Sequence, residues 1–281
     1  MKAIHRLILI NFSFLHYRSS SHGFIPKIVK INSKLHTSLL AKSRNNNNKR
    51  TQYEKLAPFE HEHSLLHRGY KYIIGTDEVG RGSIAGPVVS VSCCIIIDNH
   101  DLYDGDSIKT FVPIQDVSDS KLLSQHQRET IYKEIINNQS NRYKFTVSQR
   151  SPEQIHETNI LKATMECFQE SIQNLIIDHN LPLNETYAIV DGKSTPKLVN
   201  GPTPIPCRPL VSADKYIYTV SIASILAKVI RDEMMVNASK LYPEYGFDVN
   251  KGYSTKEHIE AVHKYGPSPL HRMSFKALQH R

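Results

Sequence analysis

The chain has 281 residues, 40% of them hydrophobic, enough for one large domain or two small ones. No stretch approaches the roughly 18 consecutive apolar residues of a membrane-spanning helix, so no membrane partner is expected. The formal charge of +8 is uneven: residues 1–53 hold ten Lys or Arg and no Asp or Glu, leaving 25 basic against 27 acidic residues beyond them, so the global charge is no argument for nucleic-acid binding.

Residues 1–53 add a serine run (Ser19-Ser20-Ser21), an apolar patch (Leu7-Ile8-Leu9-Ile10) and an asparagine run at 45–48 to that acid-free composition. These are features of a transit peptide followed by a low-complexity linker, and mitochondrial import is the expectation. The alternatives are a secretory signal with residues 7–15 as its apolar core, or a disordered basic arm on a cytoplasmic or nuclear protein. Residues 54–281 are then the catalytic domain.

In chain order, residues 72–76 predict a first strand and 88–97 a second, rich in β-branched residues. Adjacent Cys93-Cys94 alternate faces of that second strand. With Cys167 and Cys207 they lack CxxC spacing, so core thiols are expected rather than a disulfide framework. Helical spacing covers 124–137, with Ser124 as N-cap, and alternation over 143–148 predicts a strand. Ser151-Pro152-Glu153 is a helix start, and the amphipathic pattern carries that helix to about His179. A short strand at 187–190 ends in Asp191. A proline-rich loop follows (Pro196, Pro202, Pro204, Pro206, Pro209), then a buried helix at 220–236. From Lys256 the tail is helix and loop, broken at Gly266-Pro267. Alternating strands and helices make this an α/β domain.

The chemistry concentrates in Asp77-Glu78-Val79-Gly80-Arg81-Gly82, directly after the first strand. Two adjacent carboxylates repel each other and resist burial unless a cation compensates them, and a hard divalent ion such as Mg²⁺ is the usual compensation. Gly80 and Gly82 allow close backbone approach with N–H groups presented to a ligand, and Arg81 adds a fixed cation. Asp191 ends a second strand, and Asp214 precedes the buried helix, where the chain can return it to the same sheet edge. Four converging carboxylates favour two bound metals, the layout of in-line phosphodiester cleavage. Each signal alone has a plainer reading: a solvated turn for Asp77-Glu78, a loop lysine for Lys121, a packed loop aromatic for Tyr253, and face charges for Lys228 and Arg231. His61, His63 and His67, like His258, His263 and His271, lack a paired half of a zinc site.

In family order, the motifs resemble ribonuclease HII of the bacterial type. They are Asp77-Glu78-Val79-Gly80-Arg81-Gly82 with Ala85-Gly86-Pro87-Val88-Val89, then Asp119-Ser120-Lys121, Val190-Asp191-Gly192 and Ala213-Asp214. Ser221-Ile222-Ala223-Ser224-Ile225-Leu226-Ala227-Lys228-Val229-Ile230-Arg231-Asp232 and Lys251-Gly252-Tyr253 follow. Thr255-Lys256-Glu257-His258 and Tyr265-Gly266-Pro267-Ser268-Pro269-Leu270-His271-Arg272 complete the set.

The resemblance implies a ribonuclease H-like α/β fold: a mixed five-stranded sheet flanked by helices, with a helical C-terminal extension. It implies an endonuclease that hydrolyses the RNA strand of RNA/DNA hybrids and cuts 5′ of single ribonucleotides in duplex DNA, leaving 3′-hydroxyl and 5′-phosphate ends, with Mg²⁺ or Mn²⁺. Similarity assigns Asp77, Glu78, Asp191 and Asp214 as metal-binding catalytic acids, Asp232 being the competing candidate for the fourth. It assigns Gly80-Arg81-Gly82 to sensing the ribose 2′-hydroxyl, Tyr253 to stacking on the sugar at the RNA-to-DNA step, and Lys121 to a phosphate. The expected partners are RNA/DNA hybrid and ribonucleotide-containing duplex DNA, met by a monomer. Ala213 departs from the family, which usually has Gly there, and the segments 98–118 and 191–214 look long. Two other readings are a ribonuclease HIII-like nuclease needing ribonucleotide runs, and a non-catalytic nucleic-acid-binding subunit. Arg81 and Tyr253 argue against the first, and the four acids against the second.

Overall fold

In the computed structural model, residues 59–96, 114, 116–138, 142–198 and 205–279 are described, all within one compact unit, Thr51–Arg281. The transit-peptide reading of residues 1–53 lies outside them, as does most of the long segment after the second strand.

Stretches rich in β-branched and apolar residues give β1 (Tyr72–Val79), β2 (Val88–Ile96), β3 (Tyr143–Arg150) and β4 (Thr186–Asp191), and a short proline-containing segment gives β5 (Cys207–Leu210). They form one sheet in the order β3-β2-β1-β4-β5. β1 pairs antiparallel with β2 and parallel with β4, β2 pairs antiparallel with β3, and β4 pairs parallel with β5. This is the expected mixed five-stranded sheet. The helices are α1 (Glu60–His67), α2 (Gln125–Asn138), α3 (Pro152–Glu157), α4 (Ile160–Asp178), α5 (Tyr218–Leu241), α6 (Phe247–Asn250), α7 (Lys256–Tyr265) and α8 (Lys276–Gln279). None is long and apolar enough to cross a membrane, among the described residues.

Strand alternation builds two core layers. Val89, Val91, Cys93 and Ile95 of β2 meet Ile222, Ile225 and Leu226 of α5 and Ile131 and Ile135 of α2. On the other face, Ile74, Cys94, Ala188 and Val190 meet Phe168, Ile172 and Leu175 of α4. The adjacent cysteines therefore point to opposite layers as expected, and burial holds the Cys94 thiol up at about 12. Ser124 caps α2, accepting from the Gln127 N–H (3.3 Å), while its own N–H donates to Gln127 Oε1 (2.9 Å).

Three expectations need correction. The helix expected to continue to His179 is two helices. Ser151 and Gln154 form a capping box at α3, and the Asn159 side chain caps α4 through the Lys162 N–H (2.9 Å). Ile155, Ala163 and Cys167 pack on Val88 as one patch across the break, which is why the apolar spacing looks continuous. The proline-rich loop contains β5, whose Pro209 is tolerated because the strand lies at the sheet edge. Arg231 is no face charge; it is fully buried. α1 is a helix that the sequence pattern does not predict.

Candidate active site

Thr76 of β1 lies opposite Val190 of β4, so Asp77 and Asp191 follow at the same level on neighbouring parallel strands. Ile73, Gly75 and Val79 of β1 face α5, and by the strand's period of two Asp77 does too. Thr76 turns to the α4 side, where its hydroxyl meets Ser92 Oγ (2.8 Å), which in turn meets Ser171 Oγ (2.8 Å). A Cβ on Gly75 would lie 2.3 Å from the backbone of Thr219 and Val220, so glycine is required for α5 to start directly across β1.

That start delivers Asp214. The residue sits in the 3-10 turn Ala213–Lys215, entered through Ser212 in a left-handed conformation (φ 58°). The Ala213 N–H donates to Asp191 Oδ1 (2.7 Å), and the Ser221 hydroxyl of α5 donates to the Asp214 carbonyl (2.7 Å). Ala213 thus contributes a backbone donor, which the usual glycine would supply equally. Four acids from three chain segments reach one sheet edge. The competing Asp232 pairs instead with Lys228 of its own helix (2.8 Å).

Burial and mutual charge act on three of these acids. Burial, then the Glu78 and Asp191 charges, push the Asp77 carboxyl well above its ordinary range, against hydrogen bonds from Ser224 and from the Glu78 N–H (2.7 Å). Glu78 is also raised: burial together with Asp191 outweighs the Arg81 guanidinium, 3.6 Å from Glu78 Oε1. Asp191 is raised by burial and by Asp214, against the Ala213 N–H and the Lys121 ammonium. Lys121 Nζ stands 3.4 Å from Asp214 Oδ2. Partial burial lowers its pKa, but Asp214, Asp119 and Asp77 together outweigh that and hold it raised. Asp119 shapes this lysine's loop by accepting from the Lys121 N–H (2.9 Å), and Ser120 anchors the loop on Ser224 of α5 (2.9 Å).

Among the described residues, no three His, Cys, Asp or Glu side chains enclose a common point closely enough to hold a metal ion. Asp214 turns to Lys121 and Glu78 to Arg81. The donor set nevertheless fits a hard divalent cation. It offers four carboxylates and no soft ligand, and three of the carboxyls are pushed toward protonation by burial and neighbouring negative charge, which a divalent cation would offset.

The glycine-rich turn is built on two fully buried arginines. Arg231 donates to the carbonyls of Pro87 (2.9 Å), Lys251 (2.8 Å) and Ala85 (3.0 Å); Arg272 donates to those of Gly86 (2.9 Å) and Arg81 (3.3 Å). Gly80 has φ 86°, and a Cβ there would stand 2.1 Å from Arg231 Nε. Around Gly82 the corresponding space is open. Gly252 O accepts from the N–H groups of Ile84 (2.9 Å) and Ala85 (3.2 Å), joining the Lys251-Gly252-Tyr253 loop to the same turn. Tyr253 is 37% exposed, with Lys228 Nζ and Arg231 Cζ each 5.7 Å from its ring centroid. Neither the structural use of Arg231 and Arg272 nor the anchoring by Ser224 was read from the sequence, since all three depend on contacts distant in the chain.

A family model described as Ribonuclease HII matches residues 74–278. A curated Ribonuclease HII of Caldicellulosiruptor bescii is 38% identical over 217 residues, covering 77% of this chain and 92% of that protein. One of Chlamydia pneumoniae is 36% identical over 218 residues, covering 78% and 89%. Among solved structures, the RNase HII of Archaeoglobus fulgidus in its complex with PCNA aligns with a TM-score of 0.53 at 25% identity, covering 73% of this chain and 95% of that one. Bst-RNase HIII in complex with Mn²⁺ aligns at 0.54 with 19% identity, covering 76% and 70%, a likeness of fold.

Proposed function

The chain belongs to the ribonuclease HII family and is a type 2 ribonuclease H, an endonuclease of RNA/DNA hybrids; from there we propose that it also cuts 5′ of single ribonucleotides in duplex DNA, with Asp77, Glu78, Asp191 and Asp214 holding two divalent ions, Mg²⁺ or Mn²⁺. The observation that carries this is the meeting of four carboxylates from three segments at one sheet edge, where burial and neighbouring negative charge raise the pKa of Asp77, Glu78 and Asp191. Two ions held by these four acids would supply the positive charge the cluster lacks and the polarisation needed to activate a water and stabilise a leaving 3′-oxygen, consistent with 3′-hydroxyl and 5′-phosphate ends.

The remaining roles belong to the chain itself. Lys121, mostly exposed and facing Asp214, is placed to hold a substrate phosphate beside the acids. Gly80-Arg81-Gly82 present backbone groups and a guanidinium to the 2′-hydroxyl, the handle that separates a ribonucleotide from its deoxy neighbour. A deoxy substrate would leave those groups unpaired, so discrimination is large. Tyr253 offers an aromatic platform that reads no sequence. The protein acts as a monomer, and its acid-free leader directs it to mitochondria.

The test is product analysis with full-length protein, Mg²⁺ and a DNA duplex carrying one ribonucleotide. A single cut on its 5′ side, leaving an end that a polymerase extends, supports the reading. Cleavage of a long hybrid with no cut at the single ribonucleotide would replace it by the activity that needs ribonucleotide runs.

A further inference from the structure

Away from the acids, two buried histidines face each other: His258 of α7 and His271, with Nε2 atoms 3.0 Å apart. Their hydrogen bonds fix both tautomers. The Ser268 N–H can only donate, and it points at His271 Nδ1 (2.9 Å), so the His271 proton sits on Nε2. That Nε2–H donates to His258 Nε2, which leaves the His258 proton on Nδ1, where it donates to the Tyr253 carbonyl (2.7 Å). Ser268 Oγ, 2.9 Å from His271 Nδ1 and accepting from the Leu270 N–H, completes the surroundings. Tyr245 and Phe247 pack both rings edge-on or tilted, and burial lowers the His258 pKa, in keeping with a neutral pair.

The relay ends on the loop that carries Tyr253. Three successive carbonyls of that loop are held by donors: Lys251 by Arg231, Gly252 by the Ile84 and Ala85 N–H groups, and Tyr253 by the Thr255 N–H (2.8 Å) within the loop and by His258 from outside it. The first two join the loop to the glycine-rich turn, and the third joins it to the C-terminal helices. Because the Tyr253 ring stands partly exposed, its backbone decides where the ring is.

We propose that His258 and His271 are positioning residues for Tyr253, a neutral two-imidazole relay that sets the ring against the Gly80-Arg81-Gly82 turn and so sets the preference for a single-ribonucleotide junction. This rests on the reading of Tyr253 as the platform at that junction. His258→Phe keeps a ring of similar size but loses the donor to Tyr253, whereas His258→Asn retains an N–H at the position of Nδ1.

The experiment compares KM and kcat of full-length wild type, Tyr253→Ala, His258→Phe and His258→Asn on a single-ribonucleotide duplex and on a long RNA/DNA hybrid. Losing one net hydrogen bond at the loop should raise KM for the single-ribonucleotide duplex about tenfold in His258→Phe. kcat on the hybrid should stay unchanged, and Asn should restore most of the loss. If Tyr253→Ala shows the defect and a folded His258→Phe does not, the relay proposal is overturned. If Tyr253→Ala shows no defect, the junction reading of Tyr253 fails, and the relay with it. Should His258→Phe not fold, long-range ¹H–¹⁵N spectra of the wild-type imidazoles decide. Protons on His271 Nε2 and His258 Nδ1 are expected; the opposite tautomers or a charged ring at neutral pH would overturn the assignment.

Discussion

Glu62 is the acid whose titration separates most cleanly from the active site. It is fully buried on α1. Its Oε1 accepts from the Thr219 N–H (2.8 Å) and hydroxyl (3.1 Å), supplying from another element the cap that α5 lacks at Ile217; Oε2 has no hydrogen-bond partner among the described residues. Burial pushes the carboxyl from its ordinary 4.5 up to about 7, more than the Thr219 hydrogen bonds pull it down. A folded pKa above the unfolded one means that the folded chain holds a proton the unfolded chain has released. Stability from this group is therefore full below about pH 4.5, falls as pH rises toward 7, and is flat beyond. At about 1.4 kcal/mol per pH unit across that window, the loss is roughly 3 kcal/mol by pH 8, a large share of a typical total of 5–15 kcal/mol. Glu62→Gln keeps the acceptor for Thr219 and removes the titration. Urea unfolding of the metal-free full-length protein, followed by circular dichroism from pH 5 to 8, should find the variant close to wild type at pH 5 and more stable by roughly 2–3 kcal/mol at pH 8. Acids common to both proteins cancel in that difference. A difference independent of pH, or one that favours wild type as pH rises, would refute the reasoning.

In metal-free protein, Asp77→Asn should raise the urea midpoint at pH 8, because it removes a buried charge that Glu78 and Asp191 oppose; the stabilisation that saturating Mg²⁺ confers on wild type, about 2.7 kcal/mol at a hundredfold excess over Kd, should largely vanish. Gly80→Ala should destabilise by on the order of 3 kcal/mol or more in the same assay, since the added Cβ meets Arg231 Nε at a positive φ. Lys121→Ala should weaken hybrid binding and lower the slope of log Kd against log salt by about one phosphate contact, measured by fluorescence anisotropy.

The sheet was legible because its signals are local. β1, β2 and β3 announce themselves by alternation and β-branching, and Asp77 and Asp191 mark strand ends whose adjacency follows once β1 and β4 pair in parallel. β5 was hidden by Pro209, which a central strand would forbid but an edge strand accepts. The break between α3 and α4 was hidden because Ile155, Ala163 and Cys167 stay on one packing patch across it. Arg231 looked like a surface charge because nothing near it in sequence shows that the carbonyls of Ala85, Pro87 and Lys251 converge on it. Glu62 was unreadable for the same reason, its partner Thr219 lying 157 residues away, whereas the His258–His271 pair was hidden because only the packing of the C-terminal segment turns two nearby imidazoles toward each other.

The claim that the four acids at the β1–β4 edge perform the cleavage is tested most directly by the rate at which wild type and Asp77→Asn cut a single-ribonucleotide duplex in Mg²⁺, with duplex affinity measured alongside. The account predicts a loss on the order of a thousandfold or more in Asp77→Asn with affinity nearly unchanged. Cleavage by Asp77→Asn at the wild-type rate would contradict it.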